Sequence, residues 1–280
     1  MIEAVTEAVK AAARHMVREG FRIQEKGSAE NIVTSSDLAV QEYLTGRLKA
    51  ILPDSGFLCE EEGLSDLSHP YVWIIDPIDG TANYARGDEN CCISVALAKD
   101  GILQLGVVYS PWRNELYTAE KGKGARCNGE VIRVSDRSFG QGLLFTAMST
   151  YRKEFARCCS DIIYDLYMEC NDFRRLGSAA VELCRMAAGK AELYFEMRLM
   201  PWDHAAAGLI LREAGGCLCG LDGNDPSITE PALVAAANSQ ENLDRILRTI
   251  RRHLTELPLL NATPRTAAGL SGILPQDDRY

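Results

Sequence analysis

The sequence predicts an α+β chain that turns into α/β in its second half. Two amphipathic helices open it, short apolar strands with tight connections follow, and strands alternate with helices beyond about residue 140. At 280 residues, 46% hydrophobic and 25% charged, it has ordinary globular composition and length for one large core or two domains sharing an interface.

Ile2, Val5, Val9, Ala12, Ala13 and Met16 share one face at helical spacing, predicting a helix over 2–19. A second amphipathic segment runs from Asp37 to Leu52. Between them "EKGSAENIVTSSD" is polar and turn-rich, a loop or short hairpin. Strands are predicted over 56–59, 71–76, 92–98, 102–110 and 115–120, with Gly- and Asp-bearing connections short enough to favour antiparallel neighbours. A glycine-rich turn and another short strand fill 121–135.

Beyond it the pattern gives a strand at 142–148, a helix at 154–170, and "DFRRLG" leading into a helix at 178–189. A strand at 190–197, a helix at 201–216 stopped by two glycines, strands at 217–221 and 232–237 and a helix at 239–254 complete it. The divisions expected are an N-terminal domain over 1–140, a C-terminal domain over 141–261, and a partly disordered tail over 262–280.

A net charge of -9 opposes a polyanion partner, so direct nucleic-acid binding is not expected. No apolar run reaches the roughly 20 residues that span a bilayer, and the first residues do not resemble a secretory leader, which predicts a cytoplasmic protein without membrane contact. The ten cysteines are spread along the chain, several inside apolar runs, and read as buried free thiols without zinc-ribbon spacing.

Chemistry concentrates in "WIIDPIDGTANYARG". Asp76 ends an apolar strand, Pro77 suits the second position of a tight turn, and Asp79 then falls on the same side. Two unit charges about 4 Å apart repel by roughly 4 kcal/mol at an effective dielectric near 20, so the pair needs a proton or a cation. Gly80 permits close backbone approach, and Thr81 adds a hydroxyl beside amides suited to phosphate.

An Asp-rich turn capping a helix would explain this stretch alone. Glu60 after the strand at 56–59 and Asp203 at a helix start are further strand-end and helix-start acids, each also explicable as structural. Together, hard oxygen donors without paired His or Cys favour Mg²⁺ over zinc. His204 has no second histidine at ligand spacing and reads as a satisfied or interfacial side chain.

On these residues the chain resembles the inositol monophosphatase family, from Lys26 to about residue 240. "DPIDGTANY" is similar to the first family signature and "WDHAAAGLILREAGG" to the second. The resemblance implies a layered α/β/α/β/α sandwich of the sugar-phosphatase type and phosphate monoester hydrolysis with two or three Mg²⁺ ions, sensitive to lithium. It also implies a homodimer acting on a small phosphorylated polyol or sugar.

By position, Glu60, Asp76, Asp79, Asp203 and the carbonyl of Ile78 would hold metal, and Gly80 and Thr81 would bind phosphate. Thr81 and Asp37 would orient or deprotonate the attacking water, with help from Glu61. Gly177, Ser178, Ala179 and Glu196 would contact the polyol.

The chain departs from the family pattern at four places. Ser178 replaces a common Thr and keeps the hydroxyl, while Cys59 stands where the family commonly has Gly. Arg86 and Asp88 change the residue mix expected near the substrate entrance. Arg198 after Glu196 reads as a solvated arginine rather than a contact to a more acidic substrate. The competing readings are the same chemistry on fructose 1,6-bisphosphate, histidinol phosphate, a 3'-phosphonucleotide or NADP. Others are a non-catalytic partner in a transcription complex, as some bacterial relatives imply, or a catalytically dead domain.

Overall fold

The computed structural model describes residues 1–28, 31–61, 65–150 and 152–255. The expected tail over 262–280 lies outside the described residues. The helices are α1 (Ile2–Ala12), α2 (Ser35–Ile51), α3 (Thr81–Tyr84), α4 (Ala156–Tyr167), α5 (Ala179–Ala187), α6 (Pro201–Glu213) and α7 (Gln240–Thr255).

A hairpin joins β1 (Ile23–Ser28) to β2 (Asn31–Thr34), resolving the loop-or-hairpin alternative for this segment. The first large sheet contains β3 (Ser55–Cys59), β4 (Ser65–Asp66), β5 (Tyr71–Asp79), β6 (Cys92–Lys99), β7 (Ile102–Ser110), β8 (Glu115–Glu120), β9 (Ala125–Cys127) and β10 (Glu130–Val131). Its spatial order is β10-β9-β8-β7-β6-β5-β3-β4. The second contains β11 (Leu143–Thr146), β12 (Asp172–Arg174), β13 (Leu193–Leu199), β14 (Cys217–Cys219) and β15 (Ala232–Ala237), in the order β12-β11-β13-β15-β14.

Each sheet is apolar on both faces, so each needs two covers, and three cores result. Val5 and Val9 of α1 with Val40, Leu44 and Leu48 of α2 pack on Phe57, Trp73, Ile75 and Ile93 of the first sheet. Its other face, through Ile74, Ala96 and Val108, packs on α5 and α6, which also meet Phe145, Tyr194 and Val234 of the second sheet. The far face of the second sheet, with Leu193, Phe195 and Ala235, is closed by α4 and α7. The layering is α/β/α/β/α. In the middle layer α6 lies hard against β7, where a Cβ on Gly106 would stand 2.6 Å from the Ala206 carbonyl oxygen, and this seats the N-terminus of α6 over the first sheet.

Four expectations need correction. The first helix stops at Ala12 and tightens into a 3₁₀ turn over Ala13–His15, because the charged and Gly-bearing segment beyond Met16 offers no further apolar face. The first sheet is mixed: β3 pairs with β5 in parallel, since β4 folds back on the outer edge of β3 and leaves β5 to enter from the same end. The segment "DFRRLG" contributes the short edge strand β12, parallel to β11.

The fourth concerns Pro77, which sits inside β5 rather than in a tight turn. Proline has no N–H for the ladder, and the register with β6 shifts there: Asp76 pairs with Ser94 and Asp79 with Cys92. Three steps on one strand against two on the other is a β-bulge. Residues three apart on a regular strand point to opposite faces. The extra residue puts Asp76 and Asp79 on the same one.

All ten cysteines are free, with Cys59 buried at the end of β3 against Trp73 and Ile75. Among the described residues no helix is long and apolar enough to cross a membrane.

Candidate active site

The bulge at Asp76–Asp79 opens toward the junction of the two sheets, and α6 meets it there. Asp203 lies in the first turn of α6, its Oδ2 accepting from the Met200 amide at 2.7 Å, so the cap that starts the helix also aims its carboxylate. Carboxylate oxygens of Asp76, Asp79 and Asp203 lie within 4.8 Å of one another. Glu60, one residue past β3 beside β5, completes the group in hydrogen-bond contact with Asp76.

The electrostatics are those of acids crowded out of water. Burial and then the charges of Glu60, Asp79 and Asp203 push the Asp76 carboxyl well above the usual carboxylate range. Burial, followed by its acidic neighbours, does the same to Asp203. Burial lifts Glu60 to about 7 despite the opposing Lys26 charge. Asp79 reaches only about 6, because it is buried but accepts from the Ser178 hydroxyl and the Ala180 amide, both at 2.7 Å. Asp76 Oδ1 is buried without a hydrogen-bond partner. An orphaned oxygen among three further carboxylates, with no imidazole or thiolate in the cluster, is the donor set a hard divalent cation fits.

Except for Asp37 and Glu61, every residue given a metal, phosphate, catalytic or substrate role from the resemblance lines one cavity of about 440 Å³. Gly80 has φ +88, and a Cβ there would stand 2.9 Å from the Asn90 carbonyl oxygen, so only glycine fits this turn into α3. Thr81 Oγ1 faces Asp37 Oδ1 at 3.2 Å and the Ile78 carbonyl at 3.0 Å. Asp37 is fully buried beneath the cavity, where its Oδ2 accepts from the Thr34 amide at 2.9 Å and caps α2. Burial raises its pKa against the lowering effect of those Thr34 bonds.

Glu61 is not among the residues that line the cavity. Its Oε1 accepts from Lys26 Nζ at 2.6 Å, and its backbone exchanges hydrogen bonds with the Gln41 amide at 3.1 and 3.2 Å. On the far side Ser178 is the N-cap of α5, with Ala179 beginning that helix. Gly177 precedes it at φ +82. Glu196 on β13 accepts from the Tyr194 hydroxyl at 3.0 Å, and burial raises it to about 7.

The readings of four residues change. Arg86 donates to the Ala82 carbonyl at 3.0 Å and Asp88 accepts from the Asn90 amide at 2.8 Å, so both close their own turn after α3 and neither lines the cavity. Arg198, read as solvated, does line it. His204 is buried, but its Nε2 has no hydrogen-bond partner, so it is only half satisfied; burial, then the Arg212 charge, depresses it to about 4.

Residues that sequence reasoning passed over support the wall. Glu182, buried in α5, accepts from the Leu176 amide at 2.5 Å and the Gly177 amide at 3.2 Å, and orders the loop before Ser178. Asn83 Nδ2 donates to the Asn90 and Leu176 carbonyls, each at 2.7 Å, and ties that loop to the turn after α3. Arg152 and Arg175 also line the cavity. An acid four residues after a Ser N-cap was the one local sign of Glu182. Asn83 lies inside the stretch "DPIDGTANY", while Arg152 and Arg175 carry no sequence signal.

The model of the inositol monophosphatase family matches residues 1–255. The Nus factor SuhB of Vibrio cholerae serotype O1 is 35% identical over 260 residues, covering 90% of this chain and 96% of that protein. The extragenic suppressor protein suhB from Bartonella henselae superposes with a TM-score of 0.81 at 28% identity, over 89% of this chain and 98% of that one. The inositol monophosphatase from Anabaena (Nostoc) gives 0.78 at 31% identity, over 90% and 95%. With the layered fold, the bulged Asp pair and the acid at the start of α6 all in place, the chain belongs to the inositol monophosphatase family.

Proposed function

We propose that this protein hydrolyses a small phosphate monoester in a Mg²⁺-dependent reaction, with inositol 1-phosphate as the first substrate to test and myo-inositol and phosphate as the products. The observation that carries the reading is the convergence of Asp76, Asp79 and Asp203 within 4.8 Å at one end of a cavity sized for a sugar phosphate. Glu60, Asp76, Asp79, Asp203 and the Ile78 carbonyl would hold two or three ions. When bound, Mg²⁺ supplies an acidified water and offsets charge at the phosphoryl group.

The chain's own residues account for the rest. Amides of Gly80 and Thr81 meet the phosphate where Gly80 lets the backbone approach. The Thr81 hydroxyl, 3.2 Å from Asp37 Oδ1, orients the attacking water and passes its proton toward that buried carboxylate. Glu61, through its ion pair with Lys26, steadies the hairpin and the Glu60 turn from behind. Glu196, with Gly177, Ser178 and Ala179, receives the hydroxyls of the leaving alcohol. The same reading carries cytoplasmic location, a homodimer, inhibition by lithium, and domains divided near residue 140.

Asp79→Asn tests it, since Asn retains an oxygen for the Ser178 hydroxyl and Ala180 amide. Mg²⁺-dependent phosphate release should fall by about 100-fold or more while circular dichroism is unchanged. Full activity in the variant would sink the assignment.

The relatives named as Nus factors favour a second reading, a protein-binding role in a transcription complex. Recovery of transcription proteins in a pull-down, with no release from a panel of sugar, polyol, nucleotide and histidinol phosphates, would select it. The complete acid set favours the hydrolase.

A further inference from the structure

We infer that Glu182 and Asn83 are positioning residues for Asp79: they grip the Leu176–Gly177 peptide from two sides, fix where Ser178 and Ala180 hold the Asp79 carboxylate, and so raise the affinity of the acid cluster for Mg²⁺. The inference rests on the part of the hydrolase reading that puts Mg²⁺ among the acids, and it adds two residues outside that cluster.

The Asp79 carboxylate is held from another element. Its Oδ2 accepts from the Ser178 hydroxyl and the Ala180 amide, both at 2.7 Å, and two short bonds on one oxygen fix how the carboxylate is turned. Both donors belong to the start of α5, so Asp79 is only as well placed as that helix start.

What places the helix start is the lead-in. Three residues, Arg175, Leu176 and Gly177, join β12 to the N-cap Ser178. Leu176 and Gly177 lie outside every strand and helix, so their peptide groups have no ladder to pair with. Side chains take that place. From within α5, Glu182 reaches back one turn, and its Oε1 accepts from the Leu176 amide at 2.5 Å and the Gly177 amide at 3.2 Å. From α3, Asn83 Nδ2 donates to the Leu176 carbonyl at 2.7 Å and to the Asn90 carbonyl at the same distance.

Asn83 also closes the geometry sterically. Gly177 has φ +82, and a Cβ there would stand 3.1 Å from Asn83 Nδ2. A Cβ on Gly80, the residue after Asp79, would stand 3.2 Å from the Gly177 carbonyl oxygen and from Ser178 Cβ. The turn that follows Asp79, the side chain of Asn83 and the lead-in to α5 are therefore packed together. A shift of the lead-in is a shift at Asp79.

Glu182 acts from a buried site, 1% exposed, and burial followed by the Glu196 charge lifts it to about 8. Near pH 7 its carboxyl is mostly protonated, and it serves as a hydrogen-bond acceptor rather than as a charge. Glutamine offers the same acceptor oxygen. Leucine offers none and leaves two amides unpaired.

Calorimetric titration of the full-length protein with Mg²⁺ alone, beside Tm in EDTA, tests this without turnover. Glu182→Leu should raise the Mg²⁺ Kd by about 10- to 100-fold, as loss of a partner behind a metal ligand does. Asn83→Ala, on a different segment, should raise it in the same range, and covers the case of a Glu182→Leu protein that fails to fold. Glu182→Gln should keep the wild-type Kd. Because both residues act on one peptide, the double variant of Asn83→Ala and Glu182→Leu should weaken binding by less than the product of the single effects.

A lower Tm with an unchanged Mg²⁺ Kd in folded Glu182→Leu or Asn83→Ala protein would make the residue a structural one only and overturn the inference. Glu182→Gln as weak as Glu182→Leu, or a double variant showing the full product, would overturn it too. No Mg²⁺ binding by the wild type would overturn the metal reading with it. Binding that weakens as expected, with no phosphate release from any substrate, would end the hydrolase reading and uphold the inference.

Discussion

Replacing Asp76 by Asn should make the metal-free protein more stable and the Mg²⁺-loaded protein less so. In the fold, Asp76 is buried in β5, its Oδ1 has no hydrogen-bond partner, and its carboxylate lies within 4.8 Å of those of Asp79 and Asp203. At that separation and an effective dielectric near 20, each charged pair costs about 3.5 kcal/mol. Proton uptake by the cluster relieves part of this, so the gain on removing the Asp76 charge is on the order of one such pair, about 3.5 kcal/mol. At 2–4 °C per kcal/mol for a chain of this size class, Asp76→Asn should raise Tm in EDTA by up to about 7–14 °C. Mg²⁺ at a hundred times its Kd adds about 2.7 kcal/mol to the wild type, or about 5–11 °C, and the variant should lose most of that shift. Differential scanning fluorimetry of both proteins in EDTA and in millimolar MgCl₂ gives the four numbers needed. A variant no more stable than wild type in EDTA, or one keeping the full Mg²⁺ shift, would refute the electrostatic account of the site.

Gly80→Ala should destabilise the protein by about 1–3 kcal/mol and reduce turnover, because φ +88 is strained for alanine and its Cβ would press on the Asn90 carbonyl; urea titration showing no loss would discount the close approach. Glu182 titrates at about 8 in the fold against an ordinary 4.5, chiefly from burial. The folded protein therefore binds more protons across that window, and the contribution of this carboxyl falls as pH rises through it, by at most about 5 kcal/mol. Unfolding free energies of wild type and Glu182→Gln should diverge between pH 5 and pH 8.5, in favour of the variant at the higher pH, and parallel curves would contradict the assignment. The activity test of Asp79→Asn completes the set.

Most of the element order was legible in the chain, because apolar periodicity reports directly on which face is buried. The clustered acids were legible as well: Asp76 and Asp79 stand at the end of one apolar run, Asp203 at the start of another pattern, and Glu60 after a third. Local rules went wrong where a neighbour decided the outcome. Pro77 suits a turn by its fixed φ, but pairing of β5 with β6 on both sides of it made a bulge instead. Arg198 has the composition of a surface residue, and the course of β13 put it in the cavity.

By itself the sequence determined most of the helical and strand segments and that the chemistry is acid-rich with hard oxygen donors, since these follow from residue type and short-range spacing. The tertiary structure alone decided that Asp37 meets Thr81 across 44 residues, that the start of α5, through Ser178 and Ala180, holds Asp79 of the first sheet, and that Arg152, Arg175 and Arg198 line the same cavity. The reason is physical: such contacts are fixed by how the two sheets pack on α5 and α6, and no periodicity within a single segment records that packing.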